Sequence, residues 1–172
     1  KDSRSDWHRL KTDSAGQPFK MLIFPDSQSA DYSGWQKLAQ AAWERNQGAE
    51  LVVNMGDLVD NGEDSSQWRA WFRGLDNIIS QSAFVPVMGN HECYDKNWQM
   101  RLPVAYLGYF QTPANGSSKY DRYYYSFDYG AVHFVVLCNS DYELAEFQDD
   151  LLAEQLAWLR QDLSSSDKPW KV

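Results

Sequence analysis

Positive charge is scarce in this sequence. Its 172 residues carry 16 Lys and Arg against 24 Asp and Glu, a formal net charge of -8. Binding a nucleic-acid backbone needs a basic face, so that class of partner is excluded. A small anionic substrate is not, because a bound cation reverses the local field. Cysteine is nearly absent: Cys93 and Cys138 are the 2 present. With no CxxC unit, a disulfide scaffold and a zinc ribbon are both ruled out. Long apolar runs are missing too. A stretch such as 134–138 (FVVLC) falls far short of the roughly 20 residues of a membrane span. There is no internal repeat, no initiator Met and no apolar leader, so the chain reads as a mature or excised piece. What remains is ordinary globular material: 43% hydrophobic, 23% charged and 15% aromatic, with 8 Trp that need a core. The length allows one sizeable core.

Hydrophobic periodicity orders the chain. A short strand is expected at 7–12 and another at 20–24 (KMLIF), the latter ending in Pro25-Asp26. Ser33 and Gln36 have capping-box spacing, and Trp35, Leu38, Ala39, Ala42 and Trp43 follow at helical intervals before Gly48. A strand at 51–54 leads into the loop 55–62 (MGDLVDNG). Trp68, Trp71, Phe72, Leu75, Ile78 and Ile79 form a second helical stripe. A third strand at 84–88 runs into Gly89-Asn90-His91-Glu92. Strand-loop-helix alternation predicts a mostly parallel sheet with covering helices. The pattern then changes: 123–128 and 132–138 flank Tyr129-Gly130 as an antiparallel hairpin, after a surface loop at 111–119. Leu151, Leu152, Gln155, Leu156, Leu159 and Leu163 mark a last helix, and 168–172 opens another strand.

The early strands each close on polar groups: Asp26 with Gln28, Asp57 with Asp60, and Asn90 with His91. The intervals between them match one βαβ unit, about 30 residues, so all three reach the same end of the sheet. In open α/β sheets the carboxyl end is where ligands bind. Carboxylate, amide and imidazole together suit a divalent or trivalent first-row metal. Asp57, on the middle segment, is placed to bridge two ions about 3.5–4 Å apart. Taken alone, Asp57 reads as a helix cap and Asn90-His91 as turn residues; the joint pattern outweighs both. A calcium loop at 57–64 fails at Val59, where a ligand is required. His133, inside an apolar strand, reads as a packed core residue, and Cys93 as a buried inert thiol.

Gly56-Asp57-Leu58-Val59-Asp60 and Gly89-Asn90-His91-Glu92 resemble the second and third signatures of the calcineurin-like metallophosphoesterases. Pro25-Asp26-Ser27-Gln28 resembles the first, with Gln28 where a His is usual. Tyr124-Tyr125-Ser126-Phe127-Asp128-Tyr129-Gly130, Val132-His133-Phe134 and Gln155-Leu156-Ala157-Trp158-Leu159 are similar to the purple-acid-phosphatase-like branch. The resemblance implies an α/β fold, the N-terminal half of an αββα sandwich. It is a βαβαβ unit, then an antiparallel hairpin and a helix. It implies two metal ions (Fe, Mn or Zn), with Asp26, Gln28, Asp57 and Asn90 as ligands. His91 would be the proton donor and Glu92 the group orienting His91 or a ligand. The reaction implied is hydrolysis of phosphate monoesters or diesters by a metal-bound hydroxide. The substrate would be a phosphorylated small molecule or other phosphoester.

The later V-x-x-H and G-H-x-H signatures of that family have no counterpart among His8, His91 and His133. The chain is therefore expected to carry half of the site and to expect the C-terminal half of the same domain as partner. Alone it should be a poor phosphatase and an incomplete metal binder that exposes apolar surface. Residues 1–18 are expected to end an upstream fibronectin-like domain and linker, and 19–172 to form the incomplete metallophosphoesterase domain. Asp60 occupies the place of the branch's Tyr ligand, so no charge-transfer colour is expected. A secreted or periplasmic location is implied. The alternative is a truncated or degenerate relative acting as a non-catalytic binding module.

Overall fold

The computed structural model describes Trp7 and residues 16–172. Apart from Trp7, the strand expected at 7–12 lies outside the described residues, as does His8. Three strands, β1 (Met21–Phe24), β2 (Leu51–Met55) and β3 (Ala83–Val87), pair in parallel in the order β1-β2-β3. The helices between them, α1 (Ser33–Arg45) and α2 (Ser65–Gly74), cover one face. Two short helices follow, α3 (Val104–Tyr109) and, after the hairpin, α4 (Asp141–Leu144). The hairpin of β4 (Tyr125–Tyr129) and β5 (Val132–Val136) forms a second sheet with β6 (Trp170–Lys171), which runs parallel to β5. The last helix is α5 (Leu151–Ser165).

Side-chain alternation along the strands fixes the layers. On β2, Leu51 and Val53 face the second sheet and meet Tyr129, Phe134, Tyr125 and Val136. Val52 faces the other way, into the cluster built by Trp35, Ala39, Trp43, Trp68 and Trp71. Trp35 stacks on Trp71 at 6.0 Å, and its indole N–H donates to the Trp71 carbonyl at 2.9 Å. Helix α5 closes the far side through Gln155, whose side chain both accepts from Cys138 N–H and donates to its carbonyl. The order is thus helix, sheet, sheet, helix, an α/β fold with one parallel and one mixed sheet.

Two local expectations differ. The Ser33 N–H donates to the Asp31 side chain at 2.9 Å rather than to the Gln36 side chain, and the Gln36 N–H donates to the Tyr32 carbonyl rather than to the Ser33 hydroxyl, so no capping box forms at α1. The α2 stripe outruns its helix, which ends at Gly74. Asn77 sits at φ 65, and Ile78 and Gln81 are held by short-range turn bonds instead. Between the sheets lies an apolar cavity of about 400 Å³ lined by Met21, Val53, Met55, Val87, Val136 and Leu137 among others. Ile23 and Met55 open onto it, 57% and 55% exposed.

Candidate active site

The parallel register aligns the carboxyl ends of the strands, with Phe24 opposite Asn54 and Met55 opposite Val87. Pro25 ends β1, Gly56 at φ 92 turns the chain after β2, and Gly89 follows β3 closely. Neighbouring strands lie about 4.8 Å apart, so the three polar segments emerge side by side. Asp57 is their meeting point. Its carbonyl accepts from the N–H groups of Ser27 (3.1 Å) and Gln28 (2.9 Å). Its carboxylate accepts from the His91 N–H at 3.1 Å. Asp57 itself is held at φ 49, a left-handed conformation uncommon outside Gly, Asn and Asp. A Cβ at Gly89 would stand 2.1 Å from Asp57 Oδ1, so only glycine lets the third segment pass this close.

Beneath the rim, Ser27 is a saturated pivot. Its hydroxyl accepts from Asn54 Nδ2 (2.9 Å) and Trp71 Nε1 (2.8 Å) and donates to the Leu58 carbonyl (3.3 Å). This fixes the backbone that presents Asp26, which is exposed, and Gln28, which is half-buried.

Glu92 binds backbone rather than the His91 ring. Its Oε1 accepts from Leu58 N–H (2.8 Å) and Val59 N–H (3.3 Å), and its Oε2 from Asp57 N–H (3.1 Å) and Gly89 N–H (2.7 Å). One buried carboxylate therefore ties the second and third segments together. Burial pushes Glu92 up to about 7, with the Asp57 charge adding to that and the Gly89, Val59 and Leu58 N–H groups opposing it.

His91 is aimed by Asp60. The Asp60 carbonyl lies 2.8 Å from His91 Nδ1, and its carboxylate lies 3.7 Å from the same atom. A carbonyl only accepts, so Nδ1 carries the proton and Nε2 is left to exchange one. The sequence offers Asp60 as a polar group closing the second segment and as the occupant of a Tyr position; its hold on His91 is a tertiary contact that spacing alone does not disclose. Asp60 is fixed in turn: its N–H donates to the Tyr32 hydroxyl at 3.0 Å, and that hydroxyl donates to Gln67 Oε1 at 3.3 Å.

The donors are of the right type for a hard or borderline metal ion. Gln28 Oε1 is buried with no hydrogen-bond partner, the condition of a ligand oxygen awaiting a cation. Among the described residues, however, no three His, Cys, Asp or Glu side chains are grouped to hold a metal ion. Asp26, Gln28, Asp57 and Asn90, two carboxylates and two amides, stand on the three segments that meet at Asp57. His133 does not join them. It is 7% exposed and held by Asp128 and Asp162, each at 2.7 Å. It also lies at the opposite end of the sheets, where its neighbours Val132 and Phe134 pack near Leu51 at the start of β2.

The chain is similar to purple acid phosphatase 15 of Arabidopsis thaliana, 34% identical over 109 residues, covering 62% of this chain and 19% of that protein. It is 31% identical over 121 residues to purple acid phosphatase 13 of the same plant, covering 68% of this chain and 21% of that protein. The chain thus spans about a fifth of the length of the curated relatives it matches. A solved purple acid phosphatase from yellow lupin (Lupinus luteus) seeds superposes with a TM-score of 0.68 at 20% identity, over 92% of this chain and 30% of that one. That likeness is one of fold. The family model for calcineurin-like phosphoesterases matches residues 5–172, and with the glycine-spaced rim around Asp57 it establishes that the chain belongs to the calcineurin-like phosphoesterase family.

Proposed function

We propose that this chain contributes the first part of a two-metal phosphoesterase site that hydrolyses phosphate monoesters or diesters. The observation that carries the reading is the convergence on Asp57, which receives backbone donors from both flanking segments. Asp26 and Gln28 would hold one ion, Asn90 the other, and Asp57 would reach both. Bound there, Fe, Mn or Zn ions would lower the pKa of a water nucleophile and take up charge developing on the phosphoryl oxygens. The rest falls to the protein. His91 Nε2, facing away from the Asp60 carbonyl, would give its proton to the departing alkoxide oxygen. The Asp60 carboxylate is the counter-charge available to the protonated ring. Glu92 would keep the Asp57 and Asn90 segments at fixed separation.

Four donors are few for two ions, since even tetrahedral zinc takes four ligands. Turnover by this chain alone should therefore be slow. The test is hydrolysis of an aryl and an alkyl phosphate by the chain in excess Mn or Zn. Asp57→Asn should abolish the metal-dependent rate. His91→Ala should cost the alkyl ester at least about 100-fold and the aryl ester far less, because a good leaving group needs no proton. An absence of metal-dependent turnover would instead favour a non-catalytic binding module.

A further inference from the structure

Trp98 stands beside His91 in a way that packing alone does not require. Its ring centroid is 5.9 Å from that of His91, and Tyr94 fills the corner at 5.5 Å from His91 and 5.6 Å from Trp98. Yet Trp98 remains 54% exposed. Its backbone is at φ 61, a left-handed conformation that a bulky side chain disfavours and that Gly or Asn would adopt at less cost. Such outliers concentrate where a side chain is held for use.

The turn that imposes this conformation is firmly built. Asp95, buried at 6% exposure, accepts through Oδ1 from Asn97 N–H (2.7 Å) and Gln99 N–H (2.9 Å). Its other oxygen pairs with Arg101 at 3.0 Å. The Asp95 carbonyl accepts from Trp98 N–H at 3.0 Å and also from the Asn61 side chain. Asn61 directly follows Asp60, so the turn is anchored to the same loop that aims His91. The indole is therefore presented at a set distance from the proton-donating ring, with about half its surface open.

We propose that Trp98 is a specificity residue, a stacking wall for an aromatic or other planar leaving group of the phosphoester. The proposal rests on the reading of His91 as the group that protonates that leaving oxygen. A ring bonded to that oxygen would lie within reach of the exposed indole, and offset or edge-to-face contact would favour it over an alkyl group.

The test uses two probes with the same head, phenylphosphonate and methylphosphonate, titrated into the chain in the presence of Zn. The Trp98 indole N–H resonance, identified by its loss in Trp98→Phe, reports the contact. Phenylphosphonate should bind about three- to tenfold tighter than methylphosphonate and should shift that resonance. Trp98→Ala should bring the ratio near one, and Trp98→Phe should give an intermediate ratio. Dispersed amide spectra of both variants establish that they are folded. Equal affinities in the parent chain, or a preference that survives Trp98→Ala, would overturn the proposal while leaving the phosphoesterase reading intact. Failure of both probes to bind would overturn the two together.

Discussion

Glu92 carries more of the site than its place beside His91 suggests. Four backbone N–H groups from two loops converge on its buried carboxylate. Glu92→Gln keeps the shape but turns an amide NH₂ toward two of those donors. Each unsatisfied buried donor costs about 1–3 kcal/mol, so the variant should lose about 2–6 kcal/mol in urea denaturation. A loss within about 0.5 kcal/mol would mean that the clamp is not needed. At this scale the legible residues were those announced by glycine. Gly56 and Gly89 flag Asp57 and Asn90 because a strand that ends in glycine before a polar residue can turn at once. The role of Glu92 was legible only as a neighbour of His91, since nothing local says that it reaches back to Leu58. Asp60 was legible as a polar group closing the second segment but not as the residue that aims His91, and Trp98 gave no signal. Each acts through a partner or a backbone angle that exists only once the segments have met.

Elements are joined across the second sheet by an ionic clasp. His133 on β5 lies between Asp128 on β4 and Asp162 on α5, each 2.7 Å away. Ser126 on β4 donates to the other oxygen of Asp162 at 2.7 Å, and Lys168, beyond α5, lies 3.9 Å from Asp128. Burial lowers the His133 pKa, but the hydrogen bonds and charges of Asp128 and Asp162 outweigh it and raise the value above the ordinary one. A raised value in the folded state stabilises most below the unfolded pKa of about 6.5 and less as pH climbs through the folded value. The clasp should therefore weaken as pH rises above the ordinary value of about 6.5. Urea midpoints from pH 6 to 9 should fall more steeply for the parent chain than for His133→Asn; parallel slopes would contradict this. Apolar periodicity marks His133 correctly as interior but is silent about its two carboxylates, which arrive from different elements. It also overruns α2, because Ile78, at 0% exposure, is as apolar in a turn as in a helix. Gly74, the last residue of the helix, is held to glycine by packing, since a Cβ there would meet Trp35 Nε1 at 2.4 Å.

For the molecule as a whole, alternation of strand and helix disclosed the parallel sheet, and Tyr129-Gly130 disclosed the hairpin. How the hairpin stacks on the parallel sheet was not local information. It depends on Leu51, Val53 and Val85 finding Tyr125, Tyr129 and Phe134 across the interior, and on β6 pairing with β5. That stacking puts the clasp and the metal-type donors at opposite ends, about 15 Å apart along a five-residue strand. The rim around Asp57 thus stands as the candidate centre, and the direct measurement is where a paramagnetic ion settles. Mn²⁺ titrated into isotopically labelled chain should broaden the backbone amides of Gln28, Asp57 and Asn90 first, and Asp57→Asn should remove the effect. Broadening centred on other acidic segments, such as Asp149 and Asp150, or undiminished in Asp57→Asn, would contradict the assignment of this rim as the metal site.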